Sequence, residues 1–443
     1  MLYAVAEYNF TGVFWEYNNS SYILNVFYDF KIRAYMNFVD LFAGAGGLSE
    51  GFIQAGFHPI AHVESDFNAC ETLRTRAAYH YLNDLDKAER YQQYISGEIS
   101  KNSFLDDIPE SLLASVINAE INKDNLTSIF DQIDNRIPQE GVDLIIGGPP
   151  CQAYSAIGRA RDPKGMKGDQ RNYLFRFYAK FLERYRPKIF LFENVLGLIS
   201  AKNGEYLRRM RSAFFKVGYR TDYKQMIASD FGVVQNRKRI IMIGWRIGDS
   251  FTFPEFTIKR PNATVYELLR DLPNLEPGDR NSVLPYSDSP HRYTTEIGLR
   301  NEEKTVTLNY THGHNARDLL IYRLAIRKWL DEGKRLYYDD IPKNLQTHKN
   351  TRSFTDRFKV VNGAGNSHTV VAHAGKDGHY YIYPSLEQIR SMSCRELARI
   401  QSFPDNYFFE GGMGSIYKQI GNAVPPLMAN RIANKIMHRI NTT

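Results

Sequence analysis

VDLIIGGPPCQAYS, Val142 to Ser155, passes within a few residues from an apolar run to two glycines, two prolines and a cysteine. VDLII reads as a buried strand, since a short apolar run without polar alternation suits a strand covered on both faces. Pro149 and Pro150 each fix φ and lack a backbone donor, so the strand stops there and Cys151 stands on a stiff turn. Similar runs recur on both sides: FVDLF (38–42), PIAHVE (59–64), KIFLF (188–192) and RIIMIGW (239–245). Between them LSEGFIQAG (48–56), DFNACETLRTRAA (66–78, capped by Asp66) and NYLFRFYAKFLERY (172–185) have helical spacing. Strand and helix in alternation predict an α/β fold with a mostly parallel sheet covered on both faces.

Composition narrows the class. The 443 residues, 43% hydrophobic and 24% charged, describe an ordinary globular chain of two or three domains. Three cysteines (Cys70, Cys151, Cys394) are too few for a disulfide framework or a zinc site, which fits a reducing compartment. Cys70 and Cys394 lie in helical contexts and read as buried structural residues. No apolar run approaches the roughly 20 residues that cross a bilayer, and MLYAVAEYNF has no basic leader, so the expectation is a cytoplasmic protein without membrane contact. The net charge of +7 is unevenly placed, with 3 basic and 8 acidic residues over 101–140 against 11 basic and 6 acidic over 310–360. The second stretch suits a polyanionic partner.

Four segments are expected. Residues 1–35 are aromatic, stand outside the alternating pattern and are expected to be dispensable, with Met36 as a start point. Residues 36–255 form the catalytic sheet domain, with the acidic 101–140 as a helical insertion. Residues 256–413, richer in Pro, Asn, Asp and Thr, form a smaller irregular domain, and 414–443 return to the sheet through the helix MANRIANKIMHRI (428–440).

FAGAGG (42–47) closes the first strand with glycines that let a ligand approach the backbone at a helix N-terminus. Glu64 follows at the end of the second strand, where a carboxylate accepts ribose hydroxyls. The departure from GxGxxG favours an adenosyl ligand without a pyrophosphate. Cys151 at one strand end and ENV (193–195) at the next bring a thiol and a carboxyl to one rim. His312 and His314 lack further ligands for a metal and read as surface residues.

PPCQ (149–152), ENV (193–195), QNRKR (235–239) and QIGNAVPP (419–426), following FVDLFAGAGG (38–47), resemble the ordered motifs of the cytosine-5 DNA methyltransferases, as RELARIQSFPDNY (395–407) resembles their penultimate motif. GEIS (97–100) is a looser match to the family's third-strand motif, with Glu98 in place of Asp. The resemblance implies a Rossmann-like sheet that binds S-adenosylmethionine, a smaller target-recognition domain, and no metal. It implies Cys151 as the nucleophile on C6 of a flipped cytosine, Glu193 on the ring N3 and amino group, Arg239 on O2, and Arg237 supporting the cysteine and a nearby phosphate. The implied cofactor contacts are Phe42, Gly44, Gly46, Gly47, Glu64, Glu98, Pro149, Leu174 and Asn422. AIGRARDPKGMKGDQR (156–171) is the implied closing loop. Ser155, Arg159, Arg352, Arg357 and Thr369 are the implied DNA contacts, Thr369 as part of the Thr369–Val370 pair that closes the recognition segment. The implied role is protection of host DNA in a bacterial restriction-modification system, by an enzyme acting as a monomer on double-stranded DNA. A tRNA-methylating branch of the same family is the alternative.

Overall fold

The structure, a computed structural model, describes residues 36–150, 173–301, 303–347 and 355–442. Residues 1–35 and the proposed start at Met36 therefore fall at or beyond its edge. Eight strands organise the first half of the chain: β1 (Asn37–Leu41), β2 (His58–Glu64), β3 (Val116–Asn118), β4 (Leu144–Gly147), β5 (Ile189–Asn194), β6 (Tyr219–Ile227), β7 (Gln235–Asn236) and β8 (Lys238–Arg246). Seven of them make one sheet in the order β3-β2-β1-β4-β5-β8-β6. The first five run parallel, and β8 is antiparallel to both of its neighbours. From β1 the chain moves outward to β2 and β3, then returns to lay β4 on the other side of β1. That reversal opens a crevice at the carboxyl ends of β1 and β4, where ligands of open α/β sheets bind.

Both sheet faces are buried, as the apolar runs require. Val39, Leu41, Ile145 and Phe190 face one core, closed by the helices Leu126–Asp134, Leu174–Tyr185 and Glu205–Lys216. Phe38, Leu144, Ile146 and Leu191 face the other, closed by the helices Gly47–Gln54 and Pro426–Thr442. The terminal helix thus lies on the catalytic sheet, crossing its neighbour at Gly51, where a Cβ would sit 2.4 Å from Ala429 Cβ. Asp66 caps the helix Phe67–Asp84, accepting from the backbone N–H groups of Asn68 and Ala69.

Two expectations need correction. Residues 101–140 are not a helical insertion, because Val116–Asn118 is the sheet's third strand, paired in parallel with β2. A three-residue strand is too short to show periodicity. The region after Phe251 is less irregular than its composition suggests, for Ala316–Glu332 is a helix of 17 residues, N-capped by Asn315 and ended by Gly333 at φ 65. It buries Ile321, Tyr322, Ala325 and Ile326 against Phe358, Val360 and Ile382. Its many arginines blur the apolar stripe.

Asp40 points from β1 into the second core. It is 1% exposed, and Ser49 Oγ, from the helix after the glycine turn, donates to it. Burial pushes its carboxyl up to about 8, and the charge of Glu64 adds to the rise. The unfolded chain ionises this group from about pH 4, whereas the folded chain does not until about pH 8. Stability therefore falls as pH rises through that window, by up to about 1.4 kcal/mol per pH unit. Asp40→Asn is expected to flatten that slope, whatever its effect on absolute stability. Urea melts of both proteins between pH 5 and 8 measure it; equal slopes would mean Asp40 is ionised.

Candidate active site

At the end of β4 the side chains disappear. A Cβ on Gly147 would lie 2.3 Å from the carbonyl oxygen of Leu41 in β1, and one on Gly148 would lie 2.8 Å from Glu193 Oε2. The two glycines therefore have separate reasons: one lets β4 close on β1, the other leaves space for the glutamate of β5. Pro149 follows, buried, with its carbonyl held by Asn194 Nδ2 at 3.2 Å. Asn194 also accepts from Val195 N through Oδ1 and is 2% exposed. The carboxyl of ENV thus faces the site, while its amide pins the proline turn.

Glu193 is ion-paired with Arg239 of β8, Nε to Oε1 at 2.8 Å, both side chains being 13% exposed. The antiparallel register sets Glu193 opposite Ile241, which brings Arg239 to the same sheet edge. Arg239 Nη1 also donates to the carbonyl of Lys238. Arg237 departs from the phosphate contact expected of it. It is 0% exposed, and its guanidinium donates to the carbonyls of Val370 (2.6 Å), Gly421 and Asn422. A group so enclosed cannot meet a DNA phosphate; it fastens the recognition segment and the QIGNAVPP motif to the sheet. Cys151, Ser155, Arg159, Arg352 and the 156–171 segment lie outside the described residues.

On the other side of the switch point, Phe42 (φ 58), Gly44 (φ 56) and Gly46 (φ 78) turn the chain from β1 into the helix Gly47–Gln54. Glu64 holds this turn, accepting from Gly44 N at 2.8 Å on one oxygen and from Ser65 N and Asp66 N on the other. A ribose would share that carboxylate with the turn. The glycines differ in what they face. A Cβ on Gly46 would meet Leu73 at 2.8 Å and Tyr407 Oη at 2.9 Å, and one on Gly47 the Val424 carbonyl at 2.3 Å, whereas around Gly44 nothing lies within 4 Å. Gly44 alone borders open space, so the turn fits a ligand laid over it. Phe42 is half-buried beside this turn, Leu174 opens the helix Leu174–Tyr185, and the Asn422 side chain is exposed at the end of the helix Met413–Asn422.

Glu98 is misplaced by its motif. It stands exposed in a turn after the helix Ala88–Ile95, accepting from Ser96 Oγ. The residue at the end of the third strand is Asn118, whose amide donates to the carbonyls of Glu64 and Ser65.

Tyr407 is the contact that local sequence could not reveal. Its phenol donates to the carbonyl of Ala45, inside the cofactor turn, at 2.5 Å. Phe403 and Phe409 pack its ring, and Arg76 lies 4.7 Å above it. Arg395, also buried, donates to the Tyr407 carbonyl and to Thr307, so the turn is tied directly to the smaller domain.

In that smaller domain the two-residue strand Ser367–His368 pairs in parallel with β7, and Thr369 Oγ1 donates to the carbonyl of Asn236. Thr369–Val370 thus adjoins QNRKR. The half-buried Arg357 lies 5.0 Å over the ring of Tyr338. His312 is buried rather than at the surface, its Nε2 2.8 Å from the Ala374 carbonyl and its ring stacked on Tyr417. His314 meets Ser391 Oγ, and burial pushes its pKa down to about 4. Among the described residues no group of three or more His, Cys, Asp or Glu side chains could hold a metal ion, and no helix is long and apolar enough to cross a membrane.

A sheet of this order, with a glycine turn and a ribose-type carboxylate at the switch point, has the layout of an α/β enzyme that takes a nucleoside-type ligand, here beside an acidic–basic pair. The profile of the C-5 cytosine-specific DNA methylases matches residues 36–104 and 111–438, and the chain belongs to that family. It is an enzyme that methylates carbon 5 of cytosine in DNA. It is 38% identical over 444 residues to the type II methyltransferase M.Bpa9945I of Bacillus paralicheniformis, covering 91% of this chain and 99% of that one. It is 29% identical to M1.HphI of Haemophilus parahaemolyticus, covering 96% and 97%. Among solved structures it is similar to a prophage-encoded E. coli protein assigned as a DNA modification methyltransferase (TM-score 0.59, 22% identity, 92% and 99% covered). The methyltransferase EhMeth of Entamoeba histolytica is a further fold match (TM-score 0.52, 13% identity, 92% and 98% covered). The family is defined on DNA, and the tRNA alternative finds no support in it.

Two substitutions test this geometry. Gly148→Ala is expected to displace the Glu193 carboxylate and lower kcat by about 10- to 100-fold, with cofactor affinity unchanged by calorimetry. Tyr407→Phe leaves the Ala45 carbonyl without its donor and is expected to weaken S-adenosylhomocysteine binding by about 5- to 20-fold. Unchanged affinity would show that the turn holds its own shape.

Proposed function

We propose that this enzyme is the modification methyltransferase of a bacterial type II restriction-modification system and works in the cytoplasm, as a monomer, on one short sequence in duplex DNA. The names of the bacterial relatives support the setting. The observation that carries the chemistry is the Glu193–Arg239 pair beside the Gly148–Pro150 turn from which Cys151 follows.

Carbon 5 of cytosine is too weak a nucleophile to take a methyl group from a sulfonium. In the reading proposed, the Cys151 thiolate adds to C6, forming a C–S bond and pushing the ring electrons onto C5. Glu193 holds N3 and the amino group as that charge develops, and Arg239 holds O2. When bound, S-adenosylmethionine would supply the methyl group to C5 from its sulfonium, the S–CH3 bond breaking to leave the neutral thioether. A base then takes the C5 proton, the electrons re-form the 5,6 double bond, and the thiolate leaves. Phe42, the turn at Gly44 to Gly47, Glu64, Pro149, Leu174 and Asn422 would hold the donor. Ser155, Arg159, Arg352, Arg357 and Thr369 would contact the DNA, with the base flipped out of the stack at a cost of a few kcal/mol. Arg237 acts as a positioning residue.

Base-resolution mapping of C5 methylation on plasmid DNA from cells expressing the chain is expected to find one short motif, absent with Cys151→Ser. A duplex with 5-fluorocytosine at the target should trap a covalent adduct, because the C5 fluorine cannot leave as a proton does. Methylated tRNA beside unmethylated plasmid would overturn the reading.

A further inference from the structure

The helices Leu174–Tyr185 and Glu205–Lys216 lie side by side on one sheet face, and between them runs an open groove of about 750 Å³. Its floor is apolar, with Ala179, Ala213 and Val217. Its rims carry five basic and two acidic side chains: Arg176, Lys180 and Glu183 on one helix, Glu205, Arg208, Arg209 and Lys216 on the other. Arg209 pairs with Glu205. Arg176, Lys180, Arg208 and Lys216 are exposed and have no carboxylate partner among the described residues. From Leu174 to Lys224 the chain carries 12 Lys and Arg against 4 Asp and Glu, a net of +8, while the whole chain carries +7. The excess positive charge of the molecule is therefore concentrated in this segment, and it is greater than the +5 of residues 310–360. None of these side chains belongs to the site described above.

We propose that this groove is a second DNA surface, which holds the phosphate backbone of duplex outside the recognised sequence. The proposal rests on the DNA-methylating activity. Its partner follows from charge complementarity, since the polyanion this enzyme must handle is DNA. Both helices start near the carboxyl edge of the sheet, after β4 and β5, and lead away from it, so the rims extend from the catalytic edge along the flank. Arg208 and Lys216, two turns apart on one helix, span about 12 Å, the axial length of three to four phosphates of one strand. Contacts of this kind release counterions and carry no sequence information. They would raise affinity for long DNA and keep the enzyme on it between target sites.

The test replaces Arg176, Lys180 and Arg208 by Gln together, at exposed positions, with melting temperature as a check of folding. On a short duplex covering only the methylated sequence, kcat/KM is expected to change less than 2-fold. On DNA of several hundred base pairs, affinity at low salt is expected to fall at least 10-fold. The slope of log K against log salt should become shallower by about 2 to 3, and fewer methyl groups should be placed per binding event. A control with Lys87, Lys123 and Lys435 changed to Gln removes the same charge elsewhere. Unchanged affinity and slope on long DNA would overturn the proposal, and would leave an acidic protein segment as the partner the groove fits. Equal losses on short and long duplex would also overturn it, by assigning these charges to the catalytic cleft, as would an equal loss in the control. Inactivity of the unaltered enzyme on the short duplex would instead be a failure of the activity itself.

Discussion

The site depends on a stretch of backbone without side chains. At Gly147 the chain of β4 lies against the carbonyl of Leu41, and at Gly148 the space a methyl group would fill is occupied by the Glu193 carboxylate. These two contacts set the distances among β1, β4 and β5 at the point where the strand order reverses. Any larger residue would spread the strands or push the glutamate away, and overpacking of this kind costs about 1–3 kcal/mol. The prolines continue the same logic. Having no N–H to satisfy, they leave the sheet without an orphaned donor, and Asn194 takes up the carbonyl they expose.

Buried charge orders the inside of the smaller domain, which meets the sheet domain through the Tyr407–Ala45 hydrogen bond and an apolar cluster that includes Ala45 and Val234. Arg399 is fully buried between Asp271 and Asp405, Arg300 also reaches Asp271, and Arg390 is paired with Glu396. Arg395 has four backbone and hydroxyl acceptors instead. Buried pairs of this kind add little net stability over apolar packing, but removing one partner leaves a bare charge and costs about 3–5 kcal/mol. Their directional geometry sets orientation. They hold the Pro404–Tyr407 loop so that the Tyr407 phenol reaches Ala45 and the Asn406 side chain meets Arg76.

Much of this was legible in the sequence, and what was not has physical causes. β1, β2, β4, β5 and β8 were readable because strands buried on both faces are apolar throughout, and the Asp66 cap because it is a local signal. β3 was lost because three residues show no period, and GEIS, which looks like the right motif, took its place on resemblance alone. β6 was missed because it is an edge strand with exposed Arg220, Asp222 and Lys224, and so has no continuous apolar run. Glu193 and Arg239 could be named from their motifs, but their pairing depends on the antiparallel register of β5 and β8. The burial of Arg237, His312 and Arg395 was invisible, since a charged or imidazole side chain reads as surface unless its partners are known, and those partners are distant carbonyls. Ala45 and Tyr407 are separated by 362 positions, and no pattern along the chain links them.

The arrangement of Tyr407 bears on how such enzymes exchange their target specificity. Residues 395–407 lie near the end of the smaller domain, and they carry the phenol that supports the cofactor turn and the arginines that fit Asp271 and Thr307. A foreign segment that included Asp271 and Thr307 and ended before Arg395 would bring other partners to these arginines. One that ended after Tyr407 would import a foreign support for the turn. The portion that can travel between relatives as a unit is therefore the stretch between Thr307 and Arg390, which leaves Asp271, Thr307 and these arginines in the recipient and meets Arg237 and Gln235 through the backbone of Val370. New sequence preferences would then arise by replacing this inner stretch, while the frame around it is inherited whole.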